Sequence, residues 1–152
     1  NLFVKPEEPW EGEPGTRPFK IIFVDFGMVG EMGEFVSIRN TALMEQEMGL
    51  EVEGEDPRNV ITEIGRIFAD EMGFIESFTT EQNGNQIALK VHHCQGWNLT
   101  QSILKTGVEI PFTCPIMNVC QAALIRMGKP AQKAISAIPE THGSTITFTL
   151  VE

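Results

Sequence analysis

The chain has 152 residues, enough for one domain that buries roughly 68–70% of the surface its unfolded chain exposes, so neither a metal nor a disulfide is needed to complete a core. Its net charge of −10 would repel the phosphate backbone of a nucleic acid, so nucleic acid is not expected as a direct partner. Its uninterrupted apolar runs, such as IIFV and AALI, are far shorter than the roughly 20 residues of a membrane span.

The N-terminal segment and the cysteines together predict the compartment. The first residues, NLFVKPEEPWEGEPG, lack the basic region and the apolar stretch of a secretory signal peptide. The chain has three cysteines, an odd number, and without a secretory signal this favours a reducing environment over a disulfide framework. We therefore expect a cytoplasmic protein.

Residues 1–18 carry four of the nine prolines and four glutamates before any periodic pattern begins. This composition predicts an extended, acidic, proline-rich tail without a core of its own, followed by a single domain over residues 19–152. An alternative is that the tail lies along a partner or a neighbouring subunit and is anchored there by its apolar residues. These are Leu2, Phe3, Val4 and Trp10.

The first periodic region begins with FKIIFVDF, which is rich in aromatic and β-branched residues, and continues into GMVGEMGEFVSIRNTALMEQEMG. An apolar stripe with helical spacing predicts that the second stretch is a helix ended by Gly49. Gly27, Gly30 and Gly33 recur every third residue, which is not the pattern of a phosphate-binding loop. They would either form a smooth groove for another backbone or a ligand, or weaken the start of the helix.

The middle of the chain alternates a helix with a hairpin. Asp56 is placed to cap a helix over PRNVITEIGRIFADEMG, and Gly73 to end it. The runs FIESFTTE and QIALKVHH then flank residues 82–85, whose Asn-Gly dipeptide is a strong hairpin signal. Alternation along the second run predicts that His93 faces the core and His92 the opposite side.

The last third contains two more helices and a second hairpin. GWNLTQSILKTG and CPIMNVCQAALIRMG have helical periodicity, whereas QKAISAI and STITFTLVE, joined by PETHG, alternate like strands. The complete order predicts an α+β fold, in which an antiparallel sheet of about four strands in two hairpins packs against about four helices.

The three cysteines fall in one stretch, between Val91 and Cys120. Cys114 precedes Pro115 at the start of a helix, where the helix dipole would lower the thiol pKa and favour a reactive thiolate. The alternative is that Cys114 is an inert cap. Cys120 has apolar neighbours three and four residues away and is expected in the core. A cysteine enzyme would also need a nearby base, which the sequence does not identify.

Trp97 follows closely after His93, so the two could form the wall and the polar handle of a pocket for an aromatic ligand. Phe112 and Cys114 are further candidates for ligand contact. The alternative is ordinary packing with one hydrogen-bonded imidazole. No motif supports ligation of haem or a corrinoid by His92 or His93.

From about Asp56 to the end, the succession of DPRNVITEIGRIFADEMGF, VHHC, CPIMNVCQAALIRMGKP and a terminal hairpin resembles the 4-vinyl reductase-like, hydrocarbon-binding domain family. Its superfamily also includes transport-particle subunits and haem nitric-oxide-binding domains. The resemblance covers roughly two thirds of the chain. It implies a small apolar or aromatic ligand held between sheet and helices, a homodimer and often a structural zinc.

The resemblance also implies a set of zinc ligands. Cys94 matches the family's cysteine at a strand end, and Cys114 matches its cysteine before a helix. Members with zinc usually carry two more cysteines in the final hairpin, where this chain has Glu140 and His142 in a short turn. Thiolate, imidazole and carboxylate are all acceptable zinc donors, so these four residues are the predicted ligands.

Three functions remain open from the sequence. The resemblance favours a non-catalytic module that senses or carries a small hydrophobic molecule. The acidic tail and the predicted glycine groove would also suit an accessory or assembly subunit that docks on a larger enzyme complex. A small cysteine or metal-dependent enzyme is the third and least favoured alternative.

Overall fold

The structure is a computed structural model that describes residues 2–6, 19–23, 41–53, 55–107, 109 and 114–151. Near the N-terminus, strands β1 (Leu2–Pro6) and β2 (Phe19–Phe23) pair in an antiparallel two-stranded sheet. The first residues of the predicted tail are therefore paired with the start of the predicted domain, and the boundary after residue 18 stays a prediction. Gly27, Gly30 and Gly33 lie outside the described residues, as does most of the first predicted helix.

In the described part of the chain, two helices precede the main sheet. Residues 41–48 form α1, which ends at Gly49, where a φ of 70° suits a residue without a Cβ. Helix α2 (Pro57–Arg66) begins at Asp56, whose carboxylate accepts a hydrogen bond of 2.9 Å from the backbone N–H of Arg58. This confirms the predicted cap. The helix continues through one π-helical turn, Ile67–Glu71.

Two hairpins build the main sheet. The first contains β3 (Ser77–Asn83) and β4 (Gln86–His92), and the second contains β5 (Ala131–Ile138) and β6 (Gly143–Leu150). The strand order is β3-β4-β6-β5 and every pairing is antiparallel, so the hairpins join where β4 meets β6. Helix α3 (Trp97–Leu104) follows β4, and α4 (Pro115–Arg126) precedes β5. Within the described residues this confirms the predicted α+β fold of four helices and a four-stranded sheet.

The core lies between the sheet and the helices α2 and α4. Fully burying one aliphatic side chain stabilises the fold by roughly 1.5–3 kcal/mol, so the stripes of these helices and the inward face of β4 and β6 supply most of the driving force. Cys120 is fully buried among them, as predicted. The largest buried side chains are Phe68, Phe148, Met44, Ile61, Ile64, Ile67, Ile87, Leu89, Ile116, Met117, Leu124 and Ile146.

Helix α3 is attached differently. Its single buried residue is Thr100, whereas Leu99 keeps 57% of its surface exposed. Apolar side chains on this helix are therefore left outside the core. No helix in the described part of the chain is both long and apolar enough to cross a membrane.

Candidate functional site

The turn that follows β4 is bound on one side to the turn between β5 and β6. The backbone N–H of His93 donates to the carbonyl of Thr141 (2.8 Å), and that of Cys94 donates to the carbonyl of His142 (3.1 Å). The Nδ1 atom of His92 and the hydroxyl of Thr141 share a further hydrogen bond of 2.8 Å. The structure thus brings Cys94 next to the short terminal turn that the resemblance associates with it.

This junction leaves no room for a side chain at Gly143, where β6 begins. A Cβ atom there would lie 2.1 Å from the carbonyl oxygen of Val91 and 3.1 Å from the Cα of His92. Both neighbours are backbone atoms of β4, which cannot turn aside as a flexible side chain can. The glycine therefore permits the close approach of the two turns.

On its other side, the turn that follows β4 is hydrogen-bonded to the loop that follows α2. The backbone N–H of Gln95 donates to the carbonyl of Phe74 (3.0 Å), and its side-chain amide donates to the carbonyl of Gly73 (2.7 Å). The ring of Phe74 packs edge-on against Phe68, with 5.8 Å between centroids. The segment from Cys94 to Gly96 is therefore held from two directions before α3 begins.

Trp97, the first residue of α3, stacks on His142. The ring centroids are 5.9 Å apart and the ring planes differ by 25°. Trp97 is half-buried and His142 is exposed, so this aromatic pair borders the solvent. The sequence pattern led us to pair Trp97 with His93. The contact with His142 was missed because no local spacing relates residues 97 and 142.

The predicted core-facing position of His93 is wrong. Its side chain is 52% exposed, and its Nε2 atom lies 3.8 Å from a carboxylate oxygen of Glu76. Alternation along β4 ends at His92, and His93 adopts a φ of 51°, which turns its side chain away from the core. A role for His93 as a polar handle in a pocket under the sheet therefore loses its geometric basis. Phe112, another predicted ligand contact, lies outside the described residues.

Of the two alternatives for Cys114, the structure favours the inert residue over the reactive thiolate. Cys114 does begin α4, but it is buried, and burial raises its pKa to about 12. The backbone N–H groups of Met117 and Ile116 act in the opposite direction on this pKa, although the sulfur makes no hydrogen bond that caps the helix. Desolvation of the thiolate outweighs the helix N-terminus, so Cys114 is a neutral thiol at physiological pH.

The other two cysteines are neutral for the same reason. Burial raises the pKa of the half-buried Cys94, against a smaller lowering by the backbone N–H of Gly96, and it raises the pKa of the wholly buried Cys120. All three cysteines are free thiols. A cysteine nucleophile would need a lowered pKa, so the described residues give no support to a cysteine enzyme.

The four predicted zinc ligands, Cys94, Cys114, Glu140 and His142, are all described. Within residues 41–53, 55–107 and 114–151 there is no group of three or more His, Cys, Asp or Glu side chains that could hold a metal ion. A structural zinc needs four such donors, so the residues as placed here do not fit one. Zinc binding stays a prediction, which elemental analysis of protein made without a metal-affinity tag would check.

A cavity lies elsewhere in the molecule, beside the connection between α1 and α2. Its volume is about 240 Å³. Its lining includes three carboxylates, so it differs in character from the apolar pocket implied by the resemblance. The lining residues are Gly49, Glu51, Glu55, Asn59, Val60 and Glu63.

Comparison with known proteins gives a distant structural likeness. No protein-family model matches the chain, and no curated protein matches it. A solved structure, the Fe(II) unliganded H-NOX protein of K. algicida in a mutant form, aligns with a TM-score of 0.45 and 11% identity. The alignment covers 78% of this chain and 61% of that chain. H-NOX domains belong to the superfamily named by the sequence resemblance, but a likeness this distant carries no argument about function.

Proposed function

We propose that the protein is a non-catalytic module that binds a small apolar or aromatic molecule, as a sensor or a carrier. The ligand lies at the end of the sheet where α3 begins. The observation that carries the proposal is the stacked pair of Trp97 and His142, which borders the solvent above a turn held on two sides by hydrogen bonds.

The geometry suits recognition of a flat ring. Aromatic side chains supply large contact areas and prefer offset-stacked or edge-to-face partners, so a ligand ring can extend the existing stack. The turn beneath is fixed by backbone bonds to Thr141, His142 and Phe74, so binding requires little further ordering of the protein. The neutral thiol of Cys94 adds a polarizable surface without a charge.

A protein partner is the second candidate, and one observation favours it. Leu99 on α3 exposes 57% of its surface, and an exposed leucine on the helix that begins with Trp97 also suits docking on an apolar surface. Native mass spectrometry of the protein purified from its source would separate the two functions. A bound small molecule supports the first, and an added protein subunit in place of a small molecule supports the second.

A direct test uses the fact that the chain has only two tryptophans. In a Trp10→Phe background, Trp97 is the single tryptophan, and its indole N–H resonance reports on the site. We expect this resonance to shift on titration with acetophenone, an uncharged flat probe, with a dissociation constant on the order of 1 mM, about −4 kcal/mol.

Two histidine variants provide a matched comparison in that background. His142 and His93 both have positive φ, and asparagine tolerates this conformation, so His142→Asn and His93→Asn each remove a ring at equal backbone cost. Loss of the stacked ring should weaken probe binding by about twofold to twelvefold, since an aromatic pair contributes about 0.5–1.5 kcal/mol. His93→Asn should leave binding within twofold. Equal effects of the two changes would contradict the proposed site.

A further inference from the structure

One polar side chain on the same face of α3 as Trp97 has an amide nitrogen without a hydrogen-bond partner. Gln101 follows Trp97 by four residues in this helix, and such pairs are neighbours on a helix surface, with Cβ atoms roughly 5–6 Å apart. Thr100, one residue earlier, is the position that turns into the core. Gln101 is therefore placed one helical turn along from the aromatic pair, on the side where the proposed ligand lies.

The side-chain nitrogen of Gln101 is buried and has no hydrogen-bond partner. Two other glutamines use the same group. Gln95 donates to the carbonyl of Gly73, and Gln121 donates to the carbonyl of Ala131 at 3.2 Å. A buried donor without an acceptor carries a desolvation penalty, and such groups in folded proteins call for an explanation, often a water or a ligand.

We propose that Gln101 is the polar anchor of the ligand, so that the ligand is an uncharged, flat aromatic molecule with an oxygen acceptor such as a carbonyl. This inference rests on the proposed function. The ring stacks beside Trp97, and the oxygen accepts a hydrogen bond from the amide of Gln101 about one helical turn away. The terminal torsion of glutamine is broad, and its nitrogen breaks no existing bond when the amide turns towards this oxygen.

The charges of the chain disfavour an anionic ligand. The net charge of −10 opposes the approach of an anion. The donor is a neutral amide, so its partner needs no charge, and the nearby thiols of Cys94 and Cys114 are protonated at physiological pH. Affinity then comes from ring contact, and selectivity comes from the single donor.

The test compares acetophenone with ethylbenzene, which has the same ring and a side chain of the same length but no oxygen. Both are titrated into the Trp10→Phe protein, and the Trp97 indole resonance is followed. Gln101→Leu should weaken acetophenone by about tenfold and change ethylbenzene by less than twofold, because only the first uses the donor. Gln101→Glu retains the shape but replaces the donor by an acceptor, and it should also lose acetophenone. Gln132→Leu, at an exposed position of β5, is the control and should alter neither.

The outcomes distinguish failure of the Gln101 anchor from failure of the proposed function. If both compounds bind and Gln101→Leu leaves the ratio of their affinities within twofold, the anchor is refuted while the proposed function stands. If neither compound shifts the Trp97 resonance at its solubility limit, the proposed function is refuted and the anchor with it. Without ligand, Gln101→Leu should raise the melting temperature, since an unpartnered buried donor is removed. A lowered melting temperature would show that the amide is already bonded in the protein and would overturn the anchor.

Discussion

Helices α3 and α4 differ in how they use their apolar residues. Eight of the twelve residues of α4 are buried, whereas one of the eight residues of α3 is, and that one is Thr100. At least half of the residues of each helix are apolar, so apolar content does not explain the difference. Apolar content alone therefore does not identify a core helix, and apolar residues left outside the core mark a surface available for binding.

The physical reason lies in what each helix packs against. Helix α4 lies against α2 and β5, and its Arg126 forms an ion pair with Glu45 of α1. Helix α3 is fixed mainly through the turn before it, where the carbonyl of Cys94 accepts from the N–H of Trp97 and the carbonyl of Gly96 accepts from the N–H of Thr100. Helix α4 thus supports the sheet, and α3 extends from a rigid turn.

The largest expected effect tests this contrast with two leucines. Leu124→Ala in α4 removes a fully buried side chain and should lower the free energy of unfolding by about 2–5 kcal/mol. Leu99→Ala in α3 should change it by no more than about 0.5 kcal/mol, because this side chain is 57% exposed. Urea denaturation measures both. Comparable losses would mean that α3 is part of the core after all.

A smaller effect is expected at the turns below α3. Gly143→Ala places a Cβ atom against the backbone of β4 and should destabilise the protein by about 1–3 kcal/mol, with a shift of the Trp97 indole resonance because the turn bearing His142 is displaced. Gly96→Ala is the control, since its Cβ atom would meet only side-chain atoms, the ring of Phe74 at 3.3 Å and the sulfur of Cys94 at 3.7 Å. A Gly143→Ala protein with unchanged stability and an unchanged resonance would show that the two turns are not held together.

The thiol that begins α4 should make stability depend on pH in the alkaline range. The folded-state pKa of Cys114 is about 12, above its ordinary value of 9.0, so the stability it contributes is fully present below pH 9 and is lost as the pH rises towards 12. Between pH 9 and 10.5, the free energy of unfolding should fall more steeply in the wild type than in Cys114→Ala, by a difference that grows to about 1.4 kcal/mol per pH unit.

Thiol labelling gives the corresponding check on Cys94. At pH 8, Cys94 should react with iodoacetamide before Cys114 and Cys120, because it is the one thiol of the three that is not buried. Two results together would contradict this difference between the helices: the wild type and Cys114→Ala lose stability equally steeply with pH, and all three cysteines are labelled at the same rate. The start of α4 would then be as open to solvent as the start of α3.

The fold was predictable from the sequence because its signals are local. Asp56 caps α2 and Gly84 turns the first hairpin at a φ of 60°, each within a few residues of the pattern that indicates it. The site was predictable only in part. The pKa of Cys114 depends on burial by distant elements, and the stack of Trp97 on His142 joins residues far apart in the chain. Sequence spacing contains neither kind of information.

The error at His93 has a different origin. Alternation in β4 predicts side-chain direction only while the backbone remains extended, and the strand ends one residue earlier. The residue that turns the chain is a histidine at a positive φ, where glycine or asparagine is the more usual signal. Neither the composition nor the period of the run indicates this ending.

The two histidines with left-handed backbone limit how this end of the molecule can diversify. At His93 and His142, φ values of 51° and 46° exclude β-branched residues and favour glycine, asparagine, aspartate or histidine, whatever ligand is bound. Trp97 and Gln101 belong to a regular helix and carry no such restriction. A family of descendants selected for new ligands would therefore accumulate its substitutions along α3, while the two turns that support it keep the same few residue types.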